Sequence, residues 1–376
     1  MDNYTSDKNQ NILYFNKIKS KITLNSTIDE IDNGVIAPYK NDDFNTGGVF
    51  NNKNVFLDQS KYIGDWFQRG GDYDLSKERI DYIDENVVYL GFFINHWGHF
   101  FIDVIGRMWL VQHKEYQNFK FAFIAENNNP INENYYQFFD LIGLSRNQII
   151  WVDHPMRFKK VFIPSLGKDK DWNISQEYYN FFSYINDESY KKKGNKYRNE
   201  CIYLSRQSFS DAVKKERGEA QIEDEFKKNG YMVLYPEKMS LYEQIDIFQN
   251  AREIVCINGT IPLNCIFIGK GVKLVVLNKT SLIHNNLIMI SSIMNVRPVY
   301  IDVYKEPIPH HPRYLGEGPF WIEFNVNLKK YFKDSHLKIY PLSKKNQGNY
   351  LWYILTYIKY RYLVIMYENL KKVLKH

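Results

Sequence analysis

The sequence predicts an α/β protein made of two Rossmann-like domains in series. Three observations carry that reading. Strand-like and helix-like segments alternate through most of the chain, and the alternation restarts once after a charged, glycine-containing stretch, KKKGNKYRNE at 191–200. At 376 residues the chain is long for one core, which favours two domains. A composition of 44% hydrophobic and 16% aromatic residues supplies enough apolar surface to offset the conformational entropy of ordering.

In chain order, the first ~80 residues are polar and turn-rich, KNDDFNTGGVFNNKN among them, and predict an irregular entry region with short strands. The opening MDNYTSDKNQNILYF has no basic start followed by an apolar core, so neither a signal peptide nor a membrane anchor is expected from it. NVVYLGFF predicts a strand over 87–93, with a turn at 95–98. Apolar residues at Phe100, Val104, Met108 and Val111 then predict a helix over 99–113. FKFAFIAE, QIIWVD and KKVFIPS read as further strands, and YQFFDLIGL as a helix between them. This places a first domain at 1–195.

From 196 to 325 the alternation is regular. CIYLSR, YMVLYP, EIVCING and VKLVVLN read as strands, while EAQIEDEFKKNG, SLYEQIDIFQNA and IPLNCIFIGK read as helices, the first closed by Gly230. Strands alternating with helices imply a mostly parallel sheet covered on both faces. Two such domains in series place the ligand cleft between them, at the carboxyl ends of the strands. The tail, 326–376, ends in an amphipathic helical candidate from Tyr350 that carries Lys359, Arg361, Lys371, Lys372 and Lys375. These charges come too early for a span of about 20 apolar residues. Two readings stay open: a helix lying on anionic lipid at the inner membrane face, or one packed back across the two domains with its basic side in water.

A net charge of +6 suits anionic substrates, phosphates or an anionic membrane surface. No basic stripe with interleaved aromatics appears, so nucleic acid is not an expected partner. Cys201, Cys256 and Cys265 are odd in number and lack C-x-x-C spacing, which argues against a disulfide framework and a structural zinc site and fits a reducing cytosol. Neither a P-loop nor a G-x-S-x-G elbow is present.

INHWGHFFIDVIGRMWLV, at 94–111, sets titratable groups in an apolar, aromatic run. Burial without partners costs free energy, so these groups should pair or meet a substrate. On a helix His99 and Asp103 share a face, and the carboxylate can fix the imidazole's tautomer and raise its basicity. Such a pair is suited to take a proton from a hydroxyl nucleophile, and equally to serve as a structural pair. In VCINGTIPLN, Gly259 and Thr260 join a strand to a helix with Pro262 in its first turn, where close backbone approach and exposed N–H groups attract phosphate. Arg206 stands at a strand end in YLSRQSFSDAVKKERGE, followed by Lys214, Lys215 and Arg217, and arginine forks bind phosphate oxygens. The D-x-D triplets at Asp72–Asp74 and Asp169–Asp171 sit in polar loops and are not expected to hold metal.

These motifs fall in an order that resembles glycosyltransferase family 61. Its H-x-x-x-D element is matched by His99 and Asp103 in HFFID. An arginine after a strand and a second arginine before an N-E pair fall on Arg206 and on Arg217 with Glu219, with Gly218 where asparagine is usual. The E-Q segment corresponds to Glu243 and Gln244. The H-G-A-G-L-T-N signature aligns with NGTIPLN, keeping Gly259 and Asn264, while Asn258 replaces the histidine and Thr260 the alanine.

The resemblance spans residues 85 to 305. It implies a GT-B fold, with two Rossmann-like domains facing a central cleft, and an inverting glycosyltransferase without a metal or other cofactor. The co-substrate would be a nucleotide-sugar, and the acceptor a glycan or lipid-linked glycan of a capsule, exopolysaccharide or related surface polymer. By that resemblance His99 and Asp103 are catalytic. Arg206, Arg217, Glu219, Glu243, Gln244, Asn258, Gly259, Thr260 and Asn264 contact the donor. His96, which has no counterpart in the family element, and Trp97 are expected on the acceptor side. The expected location is the cytoplasm, with peripheral contact at the membrane through the C-terminal helix. Rival readings are a polysaccharide pyruvyl or other transferase on a similar scaffold, and a catalytically idle glycan-binding protein.

Overall fold

A computed structural model describes residues 4–5, 22–64, 67–125, 131–305, 314–341, 350–363 and 366. Lys371, Lys372 and Lys375 of the basic tail lie outside the described residues, as does most of the opening segment. The chain divides into two compact units, Asn16–Lys192 and Met1–Phe15 with Lys193–His376. Both mix strands and helices in an α/β arrangement.

The first unit is built on a seven-stranded mixed sheet. Its central strand, Asp81–Phe93, pairs in parallel with Lys120–Ala125 on one side and Met156–Pro164 on the other. Ile149–Val152 extends the parallel part, while Ile28–Asp32, Val35–Ala37 and Gly48–Phe50 add antiparallel strands. The expected entry region is thus partly a sheet edge. The central strand is also longer than the 87–93 run. Its first half, DYIDEN, mixes half-buried and exposed residues, and continuous burial begins at Val87, so only the second half carries the apolar pattern of a buried strand. A bulge between Tyr89 and Gly91 interrupts the pairing with the 120–125 strand. Gly91 has φ +96°, a conformation glycine adopts without strain.

The helix expected over 99–113 is not one α-helix. A four-residue α-turn, Trp97–Phe100, gives way at Asp103 to a 3-10 run over Val104–Gln112. Every residue from Val104 to Val111 is buried. The chain there is therefore packed all round, and it follows its neighbours rather than a single amphipathic stripe. Gly106 shows this: its carbonyl accepts the Gly167 N–H at 2.8 Å.

The second unit holds a five-stranded parallel sheet ordered Met232–Leu234, Cys201–Leu204, Glu253–Ile257, Lys273–Asn278, Val299–Asp302. In chain order the first strand sits second from one edge, and the order reverses between it and Glu253–Ile257. That reversal opens a crevice at the carboxyl ends of these two strands. The helix Glu219–Lys228 has an acid in its first turn and Lys227 and Lys228 in its last, matching the macrodipole. It ends at Gly230, φ +83°. Leu241–Asn250 starts with a capping box between Ser240 and Glu243.

The helix Val326–Asp334 is no part of a loose tail. Leu328, Tyr331 and Phe332 are buried in the core of this unit with Tyr203, Ile222, Phe226 and Val255. The predicted helix at 261 is instead a seven-residue 3-10 run, Ile261–Phe267. In the C-terminal helix Tyr350–Ile358, Tyr353, Thr356 and Tyr357 are buried, and Tyr353 donates to the Pro319 carbonyl at 3.3 Å. Its other face, with Leu351, Trp352, Leu355 and Ile358, is exposed. Among the described residues no helix is long and apolar enough to cross a membrane.

Phe226 is fully buried with ring centroids 5.3 Å from Tyr203 and 4.9 Å from both Tyr231 and Phe332. Phe226→Ala is expected to cost about 3–5 kcal/mol, read as a lower denaturation midpoint for this unit.

Candidate functional site

Two clusters of chemically active side chains stand out, one in each unit. In the first unit the chain leaves the carboxyl end of Asp81–Phe93, turns through extended His96, and enters the Trp97–Phe100 turn. The His99 carbonyl accepts the Asp103 N–H at 2.7 Å, one helical turn on. That single turn is enough to bring His99 Nδ1 within 2.6 Å of Asp103 Oδ2. The other carboxylate oxygen, Oδ1, accepts the Tyr62 hydroxyl. The Asp103 side chain is 9% exposed and His99 25% exposed, so the carboxylate is enclosed while the imidazole retains an open edge. With Nδ1–H given to the carboxylate, a neutral His99 carries its acceptor lone pair on Nε2.

The His96 ring lies 5.0 Å from that of His99 and is exposed. Trp97 stacks on Phe100 at 5.6 Å and meets Phe101 and Tyr135 edge-on or tilted. Its indole is thus half-buried in an aromatic cluster, with part of its surface open. Tyr178, whose hydroxyl donates to the Ile102 carbonyl at 3.3 Å, is held well above the usual tyrosine range by burial and by the Asp103 charge.

In the second unit, residues after three strands converge at the crevice. Arg206 follows Cys201–Leu204, Asn258 and Gly259 follow Glu253–Ile257, and Lys279 follows Lys273–Asn278. A Cβ on Gly259 would lie 2.9 Å from Arg206 Nη1 and 3.9 Å from Lys279 Nζ, so both cations stand over this backbone. Glu216 bridges them. Its Oε1 is 2.5 Å from Lys279 Nζ and its Oε2 3.1 Å from Arg206 Nε. The arginine contact is an ion pair without hydrogen-bond alignment. Lys279 and Glu216 are each 3% exposed in their side chains. Burial lowers the Lys279 ammonium, opposed by Glu216.

Glu219 holds the loop that carries Arg206. Its carboxylate accepts the Arg206 N–H and the Gln207 side-chain amide, each at 3.0 Å, and the Tyr203 hydroxyl at 3.3 Å. Burial, then the Glu216 charge, push its carboxyl up to about 7. Gly218, where asparagine is usual, has φ +105°, and a Cβ there would collide with the Ile322 carbonyl oxygen. The strand Glu216–Arg217 pairs with Phe320–Ile322 too closely for a side chain at 218.

Asn258 is fully buried. Its amide donates to Asn278 Oδ1 at 3.1 Å, and Asn278 in turn donates to Asp302 at 2.8 Å, a chain across the ends of three strands. Among the described residues Asn258 Oδ1 has no hydrogen-bond partner.

Other expected donor contacts do not join this cluster. Successive strand residues point to opposite faces. With Glu216 turned to Arg206 and Lys279, Arg217 turns away and donates to Thr356 of the C-terminal helix at 3.3 Å. Glu243 closes the capping box with Ser240. Gln244 accepts from Asn264 at 2.8 Å and itself donates to the Pro236 and Met239 carbonyls, so these amides tie elements together. Thr260 is half-exposed and makes no side-chain cap at the start of the 3-10 run. A seven-residue 3-10 run is also a poor source of the helix-terminal phosphate attraction expected there. Side-chain charge, not a helix end, makes this cluster cationic. Of the D-x-D triplets, Asp169 accepts the N–H groups of Asp171 and Asn173 and caps its own turn.

Sequence reading missed Tyr62, Glu216 and Lys279. Tyr62 is 41 positions from Asp103, and Lys279 follows an ordinary strand, so only the fold reveals their partners. Glu219 gives a test of this network. Its folded pKa lies above its unfolded value, so it contributes stability that is complete below about 4.5 and is lost as pH rises through about 7. The wild-type protein should lose up to about 3 kcal/mol across that window, and Glu219→Gln should flatten the slope, read by denaturant titrations at several pH values.

Comparison with known proteins adds one match. No curated protein matches the chain. Residues 97–275 match the family described as Glycosyltransferase 61, a span that holds His99, Asp103, Arg206, Glu216 and Gly259, and the match supports a glycosyltransferase.

Proposed function

We propose that the chain is an inverting glycosyltransferase that moves a sugar from a nucleotide-sugar donor to a hydroxyl of a growing surface polysaccharide, such as a capsule or exopolysaccharide. The observation that carries this reading is the His99–Asp103 contact of 2.6 Å, a carboxylate-backed imidazole with an open edge. The reading assigns the acceptor side, with His96 and Trp97, to the unit that carries His99. It assigns the donor side to the unit that carries Arg206, which is the division of labour of a GT-B enzyme.

His99 Nε2 takes the proton of the acceptor hydroxyl while that oxygen bonds to the anomeric carbon. The bond from that carbon to the diphosphate oxygen breaks on the opposite face, which inverts the configuration. The departing nucleoside diphosphate gains negative charge, and Arg206 and Lys279, already gathered by Glu216, meet it. This chemistry draws on side-chain cations and needs no metal.

A cytoplasmic location, with peripheral contact at an anionic membrane face, completes the reading. The exposed Leu351, Trp352, Leu355 and Ile358, followed by exposed Lys359, have the composition of an interfacial helix.

His99→Ala is expected to reduce turnover about 10²–10⁴-fold, with the donor-induced rise in unfolding temperature retained. A nucleotide-sugar panel, followed by nucleotide diphosphate release, measures both, and an active His99→Ala enzyme sinks the assignment. Gly259→Ala should shrink the donor-induced rise and, because Gly259 has φ +157° and the added methyl would lie 2.9 Å from Arg206 Nη1, should also lower the unfolding temperature of the unliganded protein.

A further inference from the structure

We propose that Tyr62 is a positioning residue for His99, acting through Asp103 and itself anchored by the buried Arg107. The proposal rests on the reading of His99 as the base. A carboxylate held by one partner can swing about its last side-chain bond, where the torsional preference is broad. Asp103 is held by two, with Oδ2 facing His99 Nδ1 and Oδ1 taking the Tyr62 hydroxyl. The plane of the carboxylate, and with it the direction of the His99 lone pair, is therefore set from both sides.

Tyr62 belongs to a small hairpin, Tyr62–Ile63 against Gln68–Arg69. The same hairpin supplies a wall to the imidazole. Phe67 packs on Tyr62 at 5.1 Å and meets His99 edge-on at 5.6 Å, with the Arg69 guanidinium over its ring at 4.7 Å. What fixes the hairpin is Arg107, four positions after Asp103 and 2% exposed. It donates to the carbonyls of Gln59 at 2.7 Å and Lys61 at 2.8 Å, and to that of Pro164. The bulge at Gly91 lies against this side chain, 3.6 Å from Arg107 Cδ at the position a Cβ would take. Thus the segment that carries Asp103 also grips the backbone just before Tyr62, and the contact between them is closed through covalent chain on both sides.

A hydroxyl donating to Oδ1 stabilises the carboxylate charge and weakens its hold on the imidazole proton. Removing it leaves more charge facing His99 and raises the pKa of the imidazolium. Among the described residues, the groups that face this pair include the Asp103 carboxylate, the His96 ring, the Tyr62 and Tyr178 hydroxyls, and Arg69 behind Phe67. Tyr62→Phe changes only one of them.

The test is a histidine-selective NMR titration of the full chain, wild type against Tyr62→Phe, alongside kcat and KM as functions of pH. The expected result is a His99 titration moved to higher pH, a matching upward move of the acidic limb of kcat, and kcat lower by about tenfold at unchanged KM. A monofluorotyrosine at position 62 nearly keeps the shape, stays protonated through the histidine range and donates more strongly, and it should move the titration the opposite way whether or not the phenylalanine variant folds well. An unchanged His99 titration in both variants overturns the proposal, as does a lower unfolding temperature with wild-type kcat and pH profile. Because the titration needs no substrate, it decides the role of Tyr62 even if every nucleotide-sugar proves inert, an outcome that would count against the glycosyl-transfer reading alone.

Discussion

The buried carboxylate of Glu216, shared between Arg206 and Lys279, is the contact on which the cationic cluster depends. Removing two cations from water is unfavourable unless a counter-charge comes with them, and a single acid serves both. Its location is set by a two-residue strand paired to Phe320–Ile322, far along the chain. Glu219, close enough to feel that charge, has its carboxyl pushed up to about 7 by burial and then by Glu216. Arg206 and Lys279 share the single carboxylate of Glu216, which only partly balances the two cations. An arriving anion then meets groups already oriented, and their ordering has been met by the fold.

The first unit solves a related problem with the opposite arrangement. Arg107 is buried against backbone carbonyls and the face of Tyr89 rather than against an acid, and desolvation brings its guanidinium down to about 10. Carbonyl oxygens from two separate segments satisfy its donors, so the side chain works as a tie between them. The carboxylate nearby, Asp103, is left to the imidazole and the tyrosine.

Both units show where periodicity stops being informative. The strands of the second unit were legible because each is a short apolar run bounded by turn residues, and parallel strands buried on both faces read that way. The 99–113 segment read as a helix because its apolar residues recur at helical spacing, yet it is buried on every side and follows its packing into a 3-10 run. His99 and Asp103 survive that difference, since one α-turn suffices to bring them together. The E-Q pair and Asn264 illustrate another limit. Gln244 and Asn264, expected at the donor, instead make a hydrogen bond with each other inside the protein. Arg217 illustrates a third, for one step along a strand reverses the face a side chain takes.

By itself, then, the sequence determined the α/β alternation, the His99–Asp103 spacing and the placing of Arg206 and Gly259 at strand ends. All of these are local properties, set by hydrophobic periodicity and by separations of a few residues. Tertiary structure alone decided that Tyr62 closes on Asp103, that Arg107 anchors it, that Glu216 takes the place expected of Arg217, and that Lys279 joins Arg206 over Gly259. These contacts join residues dozens of positions apart, and their energy comes from burying charge beside a partner. Whether such a partner is present depends on which strands lie next to each other, which no short stretch of sequence records.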